Sequence, residues 1–431
     1  MSVESMYVFQ GRKFEEYVHF ETFKQSLQDN IKFKPESDEK TDSFSKLYTE
    51  AIEHEPKGKV DKLLFNHIFY GQLKHVYVQK IGNEKGILLP TFETNIKTLL
   101  ELFKSKSINA DILRNMNPKG FLFLDSLDIK KSNVFFIAGL EPTISDNIVT
   151  RVRLLVGKTY SYTTKEGENL VRYLLAGIDI NFQEGLYMIN VNNGTDAQKE
   201  DEDDNKISSP PSFYNYIQEK IIPFFNLNTV IVADKDKTGM FTFCKEMLDT
   251  MFAESREKIV KEFHSSIIDF GEKATRKLNE MGHETNKRQT RDLTATIETL
   301  LLGIYIKNNL SDSNELRKKA KKLGLLGYPT KIHYKNTSSN KSSTGSSSAQ
   351  KPIHESETLY SLYTDFGNSN RLEEWSMAWF TNSKPNDELD VIRTTITSTQ
   401  KYFKIVFAPT RHLDEGIIYH VIRNLNKRRV Y

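Results

Sequence analysis

The sharpest chemical signal in the sequence is an apolar run that ends in two carboxylates. Residues 230–242 read VIVADKDKTGMFT. The spacing predicts a strand over 228–233 that opens directly into a polar loop carrying Asp234, Asp236 and Thr238. A carboxylate at the C-terminal end of a strand is exposed and yet held rigid, which suits nucleophilic work or cation binding. A second kind of chemistry is carried by cationic clusters. Lys287, Arg288 and Arg291 form one, Arg317, Lys318, Lys319, Lys321 and Lys322 another, and Lys427, Arg428 and Arg429 a third. Several cations on one exposed helix can neutralise several phosphates of a nucleic-acid backbone.

The 230–242 run resembles motif I of the haloacid-dehalogenase superfamily and the phosphorylation loop of P-type ATPases. The resemblance covers those thirteen residues. It implies Asp234 as the nucleophile that attacks phosphorus, Asp236 as the acid that protonates the leaving group, and Thr238 as the residue that steadies the loop. It also implies Mg²⁺ held by Asp234 and Asp236 at the strand end.

These residues must be positioned by a fold, and the chain's patterning predicts an α+β, multi-domain one. Residues 1–194 read as a domain of helices and a mixed or antiparallel sheet. Within it, 44–52 has the spacing of an amphipathic helix, 65–81 is aromatic and β-branched like a strand, and 178–190 reads as a hairpin. Residues 6–9 and 17–20 are further strand candidates. The acidic stretch 195–212 contains Gly, a Pro pair and almost no apolar side chains, and reads as a linker. A helix-rich middle domain is expected at 213–334. The Ser/Thr/Asn-rich segment 335–358 reads as a flexible tether. A small β-β-β-α domain follows at 359–431.

Composition bounds the rest. Apolar residues make up 38% of the 431, enough to build cores and to argue against global disorder. The single cysteine, Cys244, excludes an internal disulfide and a cysteine-based zinc cluster. No apolar run approaches the roughly 20 residues that a membrane-spanning helix needs. The N-terminus lacks the pattern of a signal peptide, so a cytoplasmic location without membrane contact is expected. The net charge is only +3, but it is uneven: −4 over 195–206, +6 over 256–331 and +5 over 401–431.

The leading expectation is therefore an accessory protein that contacts DNA or RNA through the three cationic clusters, within a larger intracellular assembly. One alternative is a metal-dependent phosphoester hydrolase or nuclease centred on Asp234 and Asp236, with Mg²⁺ as its cofactor. Another is a protein–protein scaffold built on the long helices of 240–310.

Overall fold

The computed structural model describes residues 7–34, 43–82, 85–163, 167–192, 209–230, 233–309, 312–335, 341–346, 348, 351–381, 390–408 and 412–429. The fold is α+β with antiparallel strand pairing, in two compact units. One comprises Met1–Ile231 with Pro409–Tyr419, the other Val232–Ala408 with His420–Tyr431.

The first unit begins with helices α1 (Phe20–Ile31), α2 (Phe44–His54) and α3 (Lys57–Gly71), then β1 (His75–Ile81), β2 (Ile87–Leu88), α4 (Leu89–Leu102) and α5 (Ala110–Asn115). The sheet is completed by β3 (Phe121–Leu122), β4 (Phe135–Ser145), β5 (Ile148–Thr163), β6 (Asn169–Asn181) and β7 (Leu186–Val191). Helix α6 (Pro210–Lys220) and β8 (Thr229–Val230) close the unit. The strands run in the order β1-β7-β6-β5-β4-β3, with β2 on β5 and β8 on β1. All six residues of β7 are buried, as expected for a strand covered on both faces. Gly139 and Gly177 let the sheet approach α3. A methyl group at either would fall 2.9–3.0 Å from a ring of α3, Phe65 at the first and Phe69 at the second.

Several expectations change here. The run 65–81 is not one strand: its first part continues α3, and only His75–Ile81 is extended. Helix α3 buries Val60, Leu64, Phe65, Ile68, Phe69 and Tyr70, and apolar side chains that dense hide helical periodicity. No strand forms at 7–9 or 17–20; Arg12–Tyr17 is a 3-10 turn. The Pro pair at 210–211 starts α6 inside a capping box made by Ser209 and Ser212, because proline fits the first turn of a helix. The acidic part of the expected linker, 195–208, lies outside the described residues.

The second unit begins with α7 (Ala233–Glu280), α8 (Lys287–Asn309) and α9 (Ser313–Lys322). Strands β9 (Gly327–Lys335) and β10 (Lys341–Gly345) follow, then α10 (Glu357–Ser369), β11 (Glu374–Phe380), β12 (Val391–Ser398) and β13 (Phe403–Phe407). Helix α11 (Glu415–Asn426) ends the chain's regular structure, with its residues from His420 onward in this unit. The strand order is β10-β9-β11-β12-β13. Met240, Phe243, Cys244, Met247 and Met251 are buried along α7, and Phe243 meets the ring of Trp375 edge-on at 5.7 Å.

The β-β-β-α order is present as read, with α10 ahead of it. The division of the chain is not where the polar segments fall. Helix α6 stays with the first unit, because Tyr214 stacks on Tyr77 at 4.2 Å and bonds Gln79 at 3.1 Å. Within the second unit β9 pairs with β11, so the helix-rich middle and the C-terminal strands share one sheet. Part of the Ser/Thr-rich segment forms β10, paired with β9.

Candidate functional site

Asp234, Asp236 and Thr238 do not lie on a loop. The strand ends at Val230 and α7 begins at Ala233, so both carboxylates fall in the first helical turn. Acidic residues are favoured there by the helix dipole, and the Thr238 hydroxyl donates back to the Asp234 carbonyl at 3.1 Å. Residues two apart on a helix diverge by about 200°. Asp236 turns inward, with its side chain 6% exposed, and both its oxygens accept from the Arg429 guanidinium at 2.9 and 3.1 Å. Arg429 in turn lies over the Phe403 ring at 4.0 Å. Asp234 turns outward, 74% exposed, and pairs with Arg371 at 3.2 Å. Gly239 lets the C-terminal segment approach: a methyl group there would fall 2.0 Å from the Arg428 carbonyl oxygen. A recess of about 450 Å³ gathers Asp234, Lys235, Thr238, Lys427 and Arg428.

This donor set does not fit Mg²⁺. The lone pairs of Asp236 are taken up by a guanidinium, and Asp234 points elsewhere. Among the described residues no three His, Cys, Asp or Glu side chains are grouped to hold a metal ion. The pattern that looked catalytic anchors the end of the chain to the start of α7.

The cationic clusters are partly absorbed into the second unit. Lys319 pairs with Glu254 at 3.2 Å, Lys321 is buried, and Arg317 bonds Tyr328. Arg428 pairs with Glu246 at 2.8 Å, and Arg429 holds Asp236. Arg288 approaches Asp292 at 4.0 Å. Lys287, Arg291, Lys318, Lys322 and Lys427 stay exposed, spread over α8, α9 and the end of α11.

Sequence reasoning missed a buried polar cluster in the first unit. Asp179, fully buried, accepts from Arg151 at 2.6 and 2.9 Å, from Tyr70 at 2.9 Å and from Tyr419 at 3.0 Å. Burial works against the Arg151 charge, but Asp179 more than restores it, so its pKa stands above the ordinary value. Burial and Asp179 together hold the phenols of Tyr70 and Tyr419 protonated. Alongside, His67 and His412 stack at 3.8 Å beside a recess of about 340 Å³. Burial, and then the neighbouring imidazoles, lower His67 to about 3 and His412 to about 4. Nothing local in the sequence marks this cluster, because its members come from four separate elements. The nearest signal is the alternation of Arg151 and Arg153 along an otherwise apolar strand.

The hairpin of α7 and α8 presents a further surface. The two helices run antiparallel, with Thr275 bonded to Thr290 at 3.1 Å. Gly271 lies so close to Thr294 that a methyl group would fall 2.7 Å from its Cγ2. Measured from that line of contact, Phe263 and Phe270 are rotated backwards round α7 by roughly 100–120°, and Leu300 and Ile304 backwards round α8 by roughly 60–100°. In antiparallel helices equal rotations in the same sense carry side chains to the same side. All four therefore share one face. Helix α10 packs along the flank of α8 away from α7, where Thr296 bonds Thr364 at 3.4 Å and Gly303 lies against Tyr360, and so borders this face beyond Leu300.

Among the described residues nothing closes over that face, and its four side chains are 43% to 59% exposed. Thirteen large apolar side chains are exposed among the described residues. Seven belong to this hairpin: Phe263, Ile268, Phe270, Leu278, Met281, Leu300 and Ile304, from 38% to 72% exposed. Among the described residues no helix is long and apolar enough to cross a membrane. Comparison of the chain with family models, with curated proteins and with solved structures gave no match.

Proposed function

We propose that this chain is a protein–protein scaffold that docks a partner along the open face of the α7–α8 hairpin. One observation carries the reading: more than half of the exposed large apolar side chains among the described residues sit on this one element, and four of them, Phe263, Phe270, Leu300 and Ile304, share one face. Large apolar groups concentrated on one face are what a docking surface presents, whereas those scattered singly need no explanation. Fully burying an exposed phenylalanine or leucine side chain contributes about 1.5–3 kcal/mol, and these side chains, 43% to 59% exposed, have roughly half of that still to gain. Four such groups on one face are enough to anchor a partner.

The alternatives draw less from the geometry. The carboxylates expected to act as a pair diverge, and many of the cations expected to meet phosphate are committed within the chain.

The test is the size of the native complex. In fresh extract of the source cells the wild-type chain elutes well above its own 49.9 kDa. The variant Phe270→Asp with Leu300→Asp elutes at the monomer mass, with an unchanged far-UV spectrum. Elution of the wild type as a monomer, or an intact complex with the variant, overturns the reading.

A further inference from the structure

We infer that the partner on this face is a second copy of the same chain, set antiparallel across a twofold axis; the inference rests on the docking reading above. The observation behind it is the charge on the edge of the face. Beyond Phe263 and Phe270, on the flank of α7 away from α8, stand Glu262 and Lys273. They are eleven residues apart, close to three whole turns, so they lie in one line along the helix. Both are exposed, and neither makes an ion pair within the described residues. The acid lies toward the base of the hairpin and the base toward its tip.

A twofold axis crossing the face at Ile267–Ile268 maps each of these charges onto the other. Glu262 of one copy then meets Lys273 of its partner, and the pair occurs twice. The same axis matches the apolar groups. The Gly271–Thr294 and Thr275–Thr290 contacts set Leu300 level with about residue 265 of α7. Phe270 of one copy therefore reaches the level of Leu300 of the other. Phe263 likewise reaches the level of Leu293. A parallel face-to-face copy would instead set α7 over α8 and carry its own Glu262 and Lys273 to the opposite edge of the face, so the two charges would not meet. Self-complementarity of charge and of apolar level under one axis is the property of an isologous dimer interface.

Two helices about 20 Å wide over roughly four turns offer on the order of 450 Å² per copy, which places the contact among the small, reversible interfaces. Each Glu–Lys pair is solvent-exposed and modest, but twofold symmetry doubles the effect of any change.

Sedimentation velocity of the purified full-length chain over a concentration series reads this directly. The expected result is a reversible dimer of twice 49.9 kDa. Glu262→Lys alone and Lys273→Glu alone each weaken it by about tenfold. The double reversal Glu262→Lys with Lys273→Glu restores it to within about threefold, and Phe270→Asp abolishes it. A wild-type chain that stays monomeric throughout overturns the inference, as does a double reversal no tighter than the single ones. If the purified chain is monomeric while the complex in extract still collapses with Phe270→Asp and Leu300→Asp, the docking face stands and its partner is a different protein. If neither complex exists, both readings fall.

Discussion

Removing the Asp236 carboxylate should unfold the second unit far more readily than removing Asp234, although the two stand two residues apart. Asp236 is nearly buried and holds both sides of the Arg429 guanidinium, which is itself only 2% exposed. Asp236→Ala leaves an uncompensated cation in the core, and breaking such a pair from one side costs about 3–5 kcal/mol. Asp234 is 74% exposed, and its pair with Arg371 contributes at most about 1 kcal/mol. The assay is built into the chain. Its two tryptophans, Trp375 and Trp379, are both buried in the second unit, so their fluorescence reports that unit's unfolding in urea. With a slope of about 2 kcal/mol per molar urea, Asp236→Ala lowers the midpoint by roughly 1.5–2.5 M, and Asp234→Ala by less than about 0.5 M. The pair Asp236→Leu with Arg429→Met recovers most of the loss, because no lone charge is left buried. Coincident curves for wild type and Asp236→Ala would refute the structural role. A wild-type midpoint that rises with Mg²⁺, in a way Asp234→Ala abolishes, would return the carboxylates to metal binding.

Other outcomes follow from buried groups. His354 is fully buried, its ring nitrogens have no hydrogen-bond partner among the described residues, and burial lowers it to about 3. The unfolded chain binds this proton at about pH 6.5, so the stability it confers is complete above that pH. Stability falls by up to about 1.4 kcal/mol per pH unit toward pH 3. The tryptophan-monitored urea midpoint therefore drops over that window, and His354→Leu flattens the slope. Cys244 is buried and burial raises its thiol pKa; a thiol reagent should label it only at the rate of unfolding. Gly239→Ala places a methyl group 2.0 Å from the Arg428 carbonyl oxygen. That backbone clash should cost at least about 1–3 kcal/mol in the same assay.

Much of the architecture was legible because the signals were local. The 178–190 hairpin, the amphipathic spacing of 44–52 and the alternation around Trp375 each depend on neighbours in the chain. Where apolar density hid the period, as in α3, a helix read as a strand. The DxD pattern misled for a different reason. It was read for the charges it displays, and nothing near it in sequence shows that Arg429, almost two hundred residues away, neutralises Asp236. The Asp179 cluster was invisible for the same cause, since Tyr70, Arg151, Asp179 and Tyr419 meet only in the fold. The hairpin face was half legible. Phe263, Leu300 and Ile304 stand at helical spacing, a pattern that a core stripe and a docking stripe share. Only the fold shows that, among the described residues, no other element covers them.

Docking at this face is tested by a photo-crosslinking scan in living cells. A photoreactive amino acid is placed in turn at Phe270, at Leu300 and, as the control, at Leu102, an exposed apolar residue of α4. Discrete covalent protein adducts are expected at Phe270 and Leu300, and none above background at Leu102. Equal labelling at all three positions, or no adduct at Phe270 and Leu300, contradicts docking there.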